Sequence, residues 1–241
     1  MTRTANHPNP LPAGEPVEVV AIDGPAGAGK STVARMLAKR LGYAFLDTGA
    51  MYRAVTWHFL EHSCAPDQEG GTEARMRAAL AGMQLRLGSD GKVLVNQHDV
   101  TSHLRSREVE SRVSAVSALS FVRAAMRDLQ REVARQGPVV AEGRDMGSVV
   151  FPHARFKVFL DADPTERARR RQADFSARGR QVSQQEILEE MQVRDRLDST
   201  RKDAPLVRAP DAMVVDTTGL DADGVVAVIL RDIQSRGESH A

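Results

Sequence analysis

Cysteine is nearly absent: Cys64 is the only one in 241 residues. That excludes an internal disulfide and fits a reducing cytoplasm. No apolar run approaches the roughly 18 residues of a membrane span. Residues 1–16 contain Pro8, Pro10, Pro12 and Pro16 but no apolar core of a secretory signal, so they read as a disordered N-terminal extension. Charge imbalance is missing too. The chain has 33 basic and 32 acidic residues and a net charge of +1, so no overall field draws it to nucleic acid or to a membrane. Lysine is scarce, because Lys30, Lys39, Lys92, Lys157 and Lys202 are the only ones and 28 of the basic residues are arginines. The planar guanidinium fork suits phosphate and carboxylate ligands, although compositional habit accounts for most of the excess. The base-reading motif N-K-x-D does not occur, which counts against a GTP-dependent switch. No Ser–His or Cys–His arrangement can be assigned as a nucleophile pair.

Against these absences stands one strong motif. Gly24-Pro25-Ala26-Gly27-Ala28-Gly29-Lys30-Ser31 fits the phosphate-loop pattern G-x-x-x-x-G-K-[S/T] at every required position, with Thr32 following. The apolar, β-branched run from Val17 to Asp23 predicts a buried parallel strand before it. Val33, Leu37 and Leu41, closed by Gly42, predict a helix after it. Glycines let successive backbone N–H groups close around phosphate oxygens at a helix N-terminus. A solvent-facing Lys30 would reach the β- and γ-phosphates, and the Ser31 hydroxyl would ligate Mg²⁺, partly through water. The alternative is a glycine-rich turn with no ligand, which does not account for Lys30 and Ser31.

Downstream, short apolar runs repeat with helical patterns between them. Tyr43 to Leu46, Pro138 to Glu142, Phe156 to Leu160 and Ala212 to Val215 predict four more buried strands. With the first they give a five-stranded parallel sheet flanked by helices, an α/β fold of the phosphate-loop type. Polar residues follow each strand, where open α/β sheets collect ligands. After the second come Asp47, Thr48, Tyr52 and Arg53, of which Asp47 or Thr48 could instead simply cap a helix. After the third come Gly143, Arg144 and Asp145.

Two segments break the alternation. Arg75 to Met83 looks helical, and Gln84–Leu87 with Lys92–Asn96 alternate around Gly88-Ser89-Asp90-Gly91, the pattern of a β-hairpin. Residues 66–104 are thus expected to form a small inserted α+β domain, dividing a core of 17–65 and 105–236. Two helices, Glu108–Ala118 and Ser120–Gln136, should follow it. Thr165 to Arg171 is a dense arginine cluster that could be a solvated face or an RNA-binding arm. Its place beyond a strand terminus favours a mobile lid over 163–182 that brings guanidinium groups over a transferring phosphoryl group. Arg194, Asp198 and Arg201 are spaced four and three apart, on one helix face if the helix from Gln184 persists. They could equally form a salt-bridge ladder.

In this order and spacing the blocks Ile22–Ser31, Leu46–Arg53, Glu108–Ser117, Glu142–Pro152 and Arg194–Leu206 resemble the bacterial-type cytidylate kinases, over about Val17 to Ile229. The resemblance implies transfer of the ATP γ-phosphoryl group to CMP or dCMP by direct in-line displacement, with ATP as co-substrate and Mg²⁺ as cofactor. It implies a cytoplasmic monomer whose partners are ATP, CMP and dCMP, with neither nucleic acid nor membrane. It makes the 66–104 insert the monophosphate-binding domain. Thr48, Tyr52 and Arg53 would help seat the acceptor nucleotide and its phosphate. Ser114, Arg123 and Asp145 would surround the cytosine ring, Arg144 would lie near the acceptor phosphate, and Arg194, Asp198 and Arg201 near ribose and phosphate. Lys30, Arg144, Arg167 and Arg171 would carry the charge neutralisation, with Arg170 an alternative to Arg171 in the lid; Glu142 is left without a role. Rival readings are a kinase of the same fold with a different acceptor, such as another nucleotide or dephospho-coenzyme A, and a nucleotide-dependent binding module.

Overall fold

The structure, a computed structural model, describes residues 18–238 apart from 89 and 178. The expected N-terminal extension therefore lies outside the described residues. Among the described residues there are eight strands and eight α-helices, and five of the strands form a central parallel sheet. β1 (Val19–Asp23) is buried along its whole length and leads through the glycine loop into α1 (Lys30–Leu41). β2 (Ala44–Asp47) leads into α2 (Thr48–Glu61). α3 (Glu73–Ala81) lies within residues 66–104, and α4 (Arg107–Ser117) and α5 (Ser120–Ala134) follow that segment.

Within the insert, β3 (Leu85–Leu87) and β4 (Val93–Val95) form the expected hairpin, and β5 (His98–Asp99) adds a third antiparallel strand that sequence reasoning did not foresee. Two residues are too few to show an alternation, and their pairing is fixed instead by the tight connection at Asn96 and Gln97, both with positive φ. The apolar side of this sheet, Val93 and Val95, packs with Val100 and Leu104 against Ala54 of α2.

The core resumes with β6 (Val139–Glu142), β7 (Phe156–Asp161), α6 (Pro164–Ser176), α7 (Gln184–Thr200), β8 (Met213–Asp216) and α8 (Ala222–Glu238). The five parallel strands lie in the order β2-β6-β1-β7-β8. α8, which sequence reasoning left unassigned, covers one face of the sheet by packing Val225, Val226 and Ile229 with α1. The other face is buried under α2, α4 and α5 through Met51, Val55, Phe59, Val116 and Met126. Among the described residues no helix is long and apolar enough to cross a membrane.

Register is what gathers the polar residues. Ile22 pairs with Glu142, and Glu142 with Asp47, so the carboxyl ends of β1, β6 and β2 finish level. The connection after β1 leads to β2 on one side of the sheet and the connection after β6 leads to β7 on the other, a reversal at which an open α/β sheet forms a crevice.

Candidate active site

The glycine loop is held by steric exclusion. Gly24 has φ +147 and a Cβ there would lie 2.0 Å from the Leu160 carbonyl oxygen, so no other residue fits without moving β7. Gly29, with φ +87, caps α1 and leaves its first N–H groups free of side-chain caps. Beside the loop opens a cleft of about 1110 Å³ that runs from Gly27–Thr32 to Thr48, Tyr52, Arg53, Arg123, Arg144 and Asp145, and on to Arg194, Asp198 and Arg201. These fifteen expected residues, from the glycine loop and the start of α1, from α2, from α5, from the turn after β6 and from α7 and its end, thus meet in one cavity.

Lys30 is buried, contrary to the expectation of a solvent-facing side chain, and its Nζ donates to the Pro25 carbonyl at 2.6 Å. Burial, with Arg144 and Arg194 nearby, pushes its pKa down to about 7 against the opposing pull of Glu142 and Asp23. Ser31 Oγ donates to Glu142 Oε1 at 2.5 Å, while Thr48 Oγ1 donates to the Glu142 carbonyl at 2.7 Å. Glu142 therefore ties the donor loop to the start of α2. Burial and Asp47 raise its carboxyl above the usual range. Asp47 itself caps α2 by accepting from Ala50 N–H, so the capping alternative describes Asp47 and the Glu142 bond describes Thr48.

On the acceptor side the arginines are paired in detail. Arg123 donates to Asp145 at 2.5 Å and to the Ser117 carbonyl at 3.2 Å, and its guanidinium stands 5.4 Å from the Tyr52 ring centre. Arg144 donates to Asp198 at 2.9 Å, and Arg201 lies 3.6 Å from both Asp198 and Asp145. The spacing of Asp198 and Arg201 on and just past α7 is thus read by the structure as a network that crosses to β6. Burial opposes ionisation of Asp198, yet Arg144, Arg194 and Arg201 hold its carboxyl below the usual range. Among the cleft arginines, Nε of Arg53, Nε of Arg194 and Nη2 of Arg201 are buried without a hydrogen bond, although Arg53 Nε lies 3.5 Å from Glu110 and Arg201 Nη2 3.6 Å from Asp145. Burial followed by the Arg144 and Arg53 charges pushes Arg194 down to about 9. A buried N–H without an acceptor is costly, and an anion placed among these arginines would supply the missing acceptors.

Some expected residues sit elsewhere. Arg167, expected over a transferring group, is packed behind the loop: it donates to the carbonyls of Ala26 at 2.9 Å and Ala162 at 3.2 Å, and pairs with Asp195 at 2.5 Å. Its register on α6 turns it towards β7 and the loop, whereas Arg170 and Arg171 line the cleft. Arg170 donates to Glu166 and to Thr217, and Arg171 bonds Glu110. Ser114 is half-buried on α4 and does not line the cleft; Ser117, one turn on, does. The arginine-rich helix is neither a bare solvated face nor an exposed arm, since Arg167, Arg170 and Arg171 are all engaged.

Sequence reasoning missed Asp23, Asp195 and Glu110. Asp23, beside the motif, accepts from Met146 N–H at 2.8 Å and Gly147 N–H at 2.7 Å, fixing the π-helical turn Met146–Val150 that follows Asp145. Burial, opposed by those two bonds, raises its pKa to about 6. A carboxylate next to a glycine loop is a signal that could have been followed. Glu110, on α4, faces Arg53 at 3.5 Å, Arg105 at 3.9 Å and Arg171. Its spacing carries no such signal. Among the described residues no group of three or more His, Cys, Asp or Glu side chains could hold a metal ion by itself.

Comparison with known proteins agrees with this geometry. A family model described as Cytidylate kinase matches residues 20–235. The chain is 48% identical over 220 residues to a cytidylate kinase of Carboxydothermus hydrogenoformans, covering 91% of this chain and 98% of that one. It is 49% identical over 219 residues to a bifunctional pantoate ligase/cytidylate kinase of Synechococcus sp. (strain CC9902), of which it spans only 45%. In fold alone it matches a crystal structure of an uncharacterized protein from Eubacterium ventriosum, with 13% identity, a TM-score of 0.50 and 90% and 99% of the two chains covered. A family match over nine-tenths of the chain, with the phosphate loop and the arginine-lined cleft inside it, leads to one conclusion: the chain belongs to the cytidylate kinase family.

Proposed function

We propose that the protein transfers the γ-phosphoryl group of ATP to CMP or dCMP, giving ADP and CDP or dCDP, by direct in-line displacement. The observation that carries the reading is the convergence, in one cleft, of a glycine phosphate loop with Arg53, Arg194 and Arg201, each of which has a buried nitrogen that makes no hydrogen bond. One end of the cleft suits a triphosphate and the other a monophosphate.

In this reading the loop from Gly24 to Thr32 binds ATP, its N–H groups facing the phosphates. Lys30 spans β- and γ-phosphates. Thr48, Tyr52 and Arg53 seat the acceptor, and Arg144, Arg194, Asp198 and Arg201 hold its phosphate and ribose. Arg123 and Asp145 read the cytosine ring, whereas Ser114, outside the cleft lining, is given no part in it. Residues 66–104 serve as the monophosphate-binding insert and 163–182 as the lid, with Arg170 and Arg171 the lid arginines that reach the cleft. Catalysis rests on positioning and on charge neutralisation by Lys30, Arg144 and the lid, and closure keeps water from taking the phosphoryl group.

The donor set also suits Mg²⁺, which keeps several waters and takes only one or two protein oxygens besides those of a phosphate substrate. Ser31 Oγ, with Glu142 beside it at 2.5 Å, would hold the ion partly through water. Bound there it would offset the negative charge of the phosphates.

The test is a coupled assay of ADP release with CMP, dCMP, UMP, AMP and dephospho-coenzyme A as acceptors. Cytosine offers an N4 donor with N3 and O2 acceptors, and uracil reverses the first two. Two buried groups left unpaired by uracil cost about 1–3 kcal/mol each, or roughly 30- to 20,000-fold in kcat/KM. CMP and dCMP are expected to lead UMP within that range. Faster turnover with AMP or dephospho-coenzyme A than with CMP would reassign the acceptor.

A further inference from the structure

Ala26, in the middle of the glycine loop, has both of its peptide groups held from outside the loop. Its N–H donates to Asp195 Oδ1 at 3.1 Å, its carbonyl accepts from Arg167 Nη1 at 2.9 Å, and Arg167 Nη1 donates to Asp195 Oδ2 at 2.5 Å. Three bonds therefore close a ring around one residue. Arg167 comes from α6 and Asp195 from α7, and the Ala26 methyl group is buried between the same two helices against Ala168, Phe175, Ile187 and Met191. The next residue has no room for a side chain either, since a Cβ on Gly27 would lie 2.9 Å from Met191 Cε and 3.0 Å from Arg167 Cβ. Arg167 is itself moored to the end of β7 by its 3.2 Å bond to Ala162.

We infer that Asp195, together with Arg167, is a positioning residue for ATP: the pair fixes the orientation of the Ala26 peptide groups and thereby the phosphate-facing N–H groups of the loop. The physical argument is about peptide orientation. A glycine-rich loop with positive φ at Gly27 and Gly29 has low barriers to turning a peptide plane over. A turned plane would aim a carbonyl oxygen, not an N–H, into the phosphate cradle. In an apolar pocket the Ala26 N–H and carbonyl must find partners, and only one orientation of the plane meets a carboxylate on one side and a guanidinium on the other. Because Asp195 is neutralised by Arg167, it offers an acceptor to the loop without setting an unpaired negative charge beside the phosphates. Asp195 does not line the cleft, so it acts through Ala26.

This inference rests on the reading of the loop as an ATP site, and direct binding separates the two. Asp195→Asn and Asp195→Ala in the full chain would be compared with the parent by calorimetric titration with ATP, with ADP and with CMP, and by thermal melting. Asn keeps the size and one acceptor but turns an amide N–H onto Arg167; Ala removes both bonds. Loss of a hydrogen bond to a charged group corresponds to about 10-fold or more in affinity. Asp195→Ala is expected to weaken ATP and ADP by about that factor, Asp195→Asn by less, with CMP within twofold of the parent in both. ATP affinity within twofold of the parent in Asp195→Ala would overturn the assignment. So would parallel weakening of ATP and CMP that tracks the loss in melting temperature, because that pattern belongs to a structural ion pair. A parent protein that binds CMP but not ATP would overturn the reading of the loop, and this assignment with it.

Discussion

Asp145→Ala should cost stability and base selectivity together, and the structure sets the size of both. Asp145 and Arg123 are a buried pair, with 3% and 7% of their side chains exposed, joined at 2.5 Å. Arg201, also 7% exposed, lies 3.6 Å from the other carboxylate oxygen. Removing the carboxylate leaves two guanidinium groups facing each other in a closed space. Breaking a buried pair by deleting one partner costs about 3–5 kcal/mol. For a chain of this size each kcal/mol lowers the melting temperature by about 2–4 °C, so the expected drop is about 6–20 °C. Arg123 retains the Ser117 carbonyl and the Tyr52 ring face, which places the result towards the lower end. Asp145→Asn keeps the shape and one acceptor and should lose roughly half as much. Selectivity follows from the same geometry: Oδ2 is taken by Arg123, so Oδ1 is the oxygen left for an exocyclic amine. Asp145→Ala is therefore expected to narrow the CMP-to-UMP ratio of kcat/KM mainly through loss of activity on CMP. The assays are differential scanning calorimetry of the unliganded variants and steady-state kinetics with both acceptors below the new melting temperature. A melting temperature within 2 °C of the parent would refute the electrostatic argument, and an unchanged CMP-to-UMP ratio would refute the placement of Asp145 at the base.

Two further outcomes are expected. Lys30, pushed down to about 7 in the empty site, should regain its ordinary pKa beside bound phosphates, so ATP binding at pH 8 takes up close to one proton. Calorimetry in buffers of differing ionisation enthalpy reads this directly. Lys30→Met should abolish the uptake and lower kcat by about 10²–10³ or more; full uptake in Lys30→Met would place the proton elsewhere. Gly24→Ala forces a Cβ to within 2.0 Å of the Leu160 carbonyl oxygen at φ +147, a strain of about 1–3 kcal/mol from the backbone angle alone. Its melting temperature should fall by several degrees, and ATP affinity with it, whereas Gly42→Ala, with open space around the same kind of angle, should lose stability and leave ATP affinity unchanged.

Where local sequence and fold point the same way, the architecture was readable in advance. β1 is apolar and β-branched because it is buried on both faces, and the glycines after it are required by φ and by the nearness of β7. Most of the cleft residues were readable because they follow strand ends or sit at helical spacing, whereas Arg123 was singled out only through the family resemblance. What escaped depends on contacts distant in sequence. Nothing local orders the strands β2-β6-β1-β7-β8 or pairs Asp195 with a loop 169 positions earlier. Arg167 and Arg171 stand in one arginine run, yet one turns to the loop and the other to the cleft. That division is set by how α6 lies against β7 and α7, which no spacing within the run encodes. β5 escaped for a simpler reason, being two residues long.

Glu110 supplies the arginines of the cleft with a counter-ion from within the chain. Its carboxylate stands among Arg53, Arg105 and Arg171, residues from three separate segments. These arginines thus have a counter-ion attached by a peptide chain. A tethered ion competes at the high effective concentration of an intramolecular partner, so small free anions such as chloride or sulfate gain little by entering. In the proposed reading a nucleoside monophosphate would compete with it, because its phosphate comes joined to a base and a sugar with contacts of their own. The carboxylate holds mutually repelling arginines together before the ligand arrives and sets an entry requirement for phosphate alone.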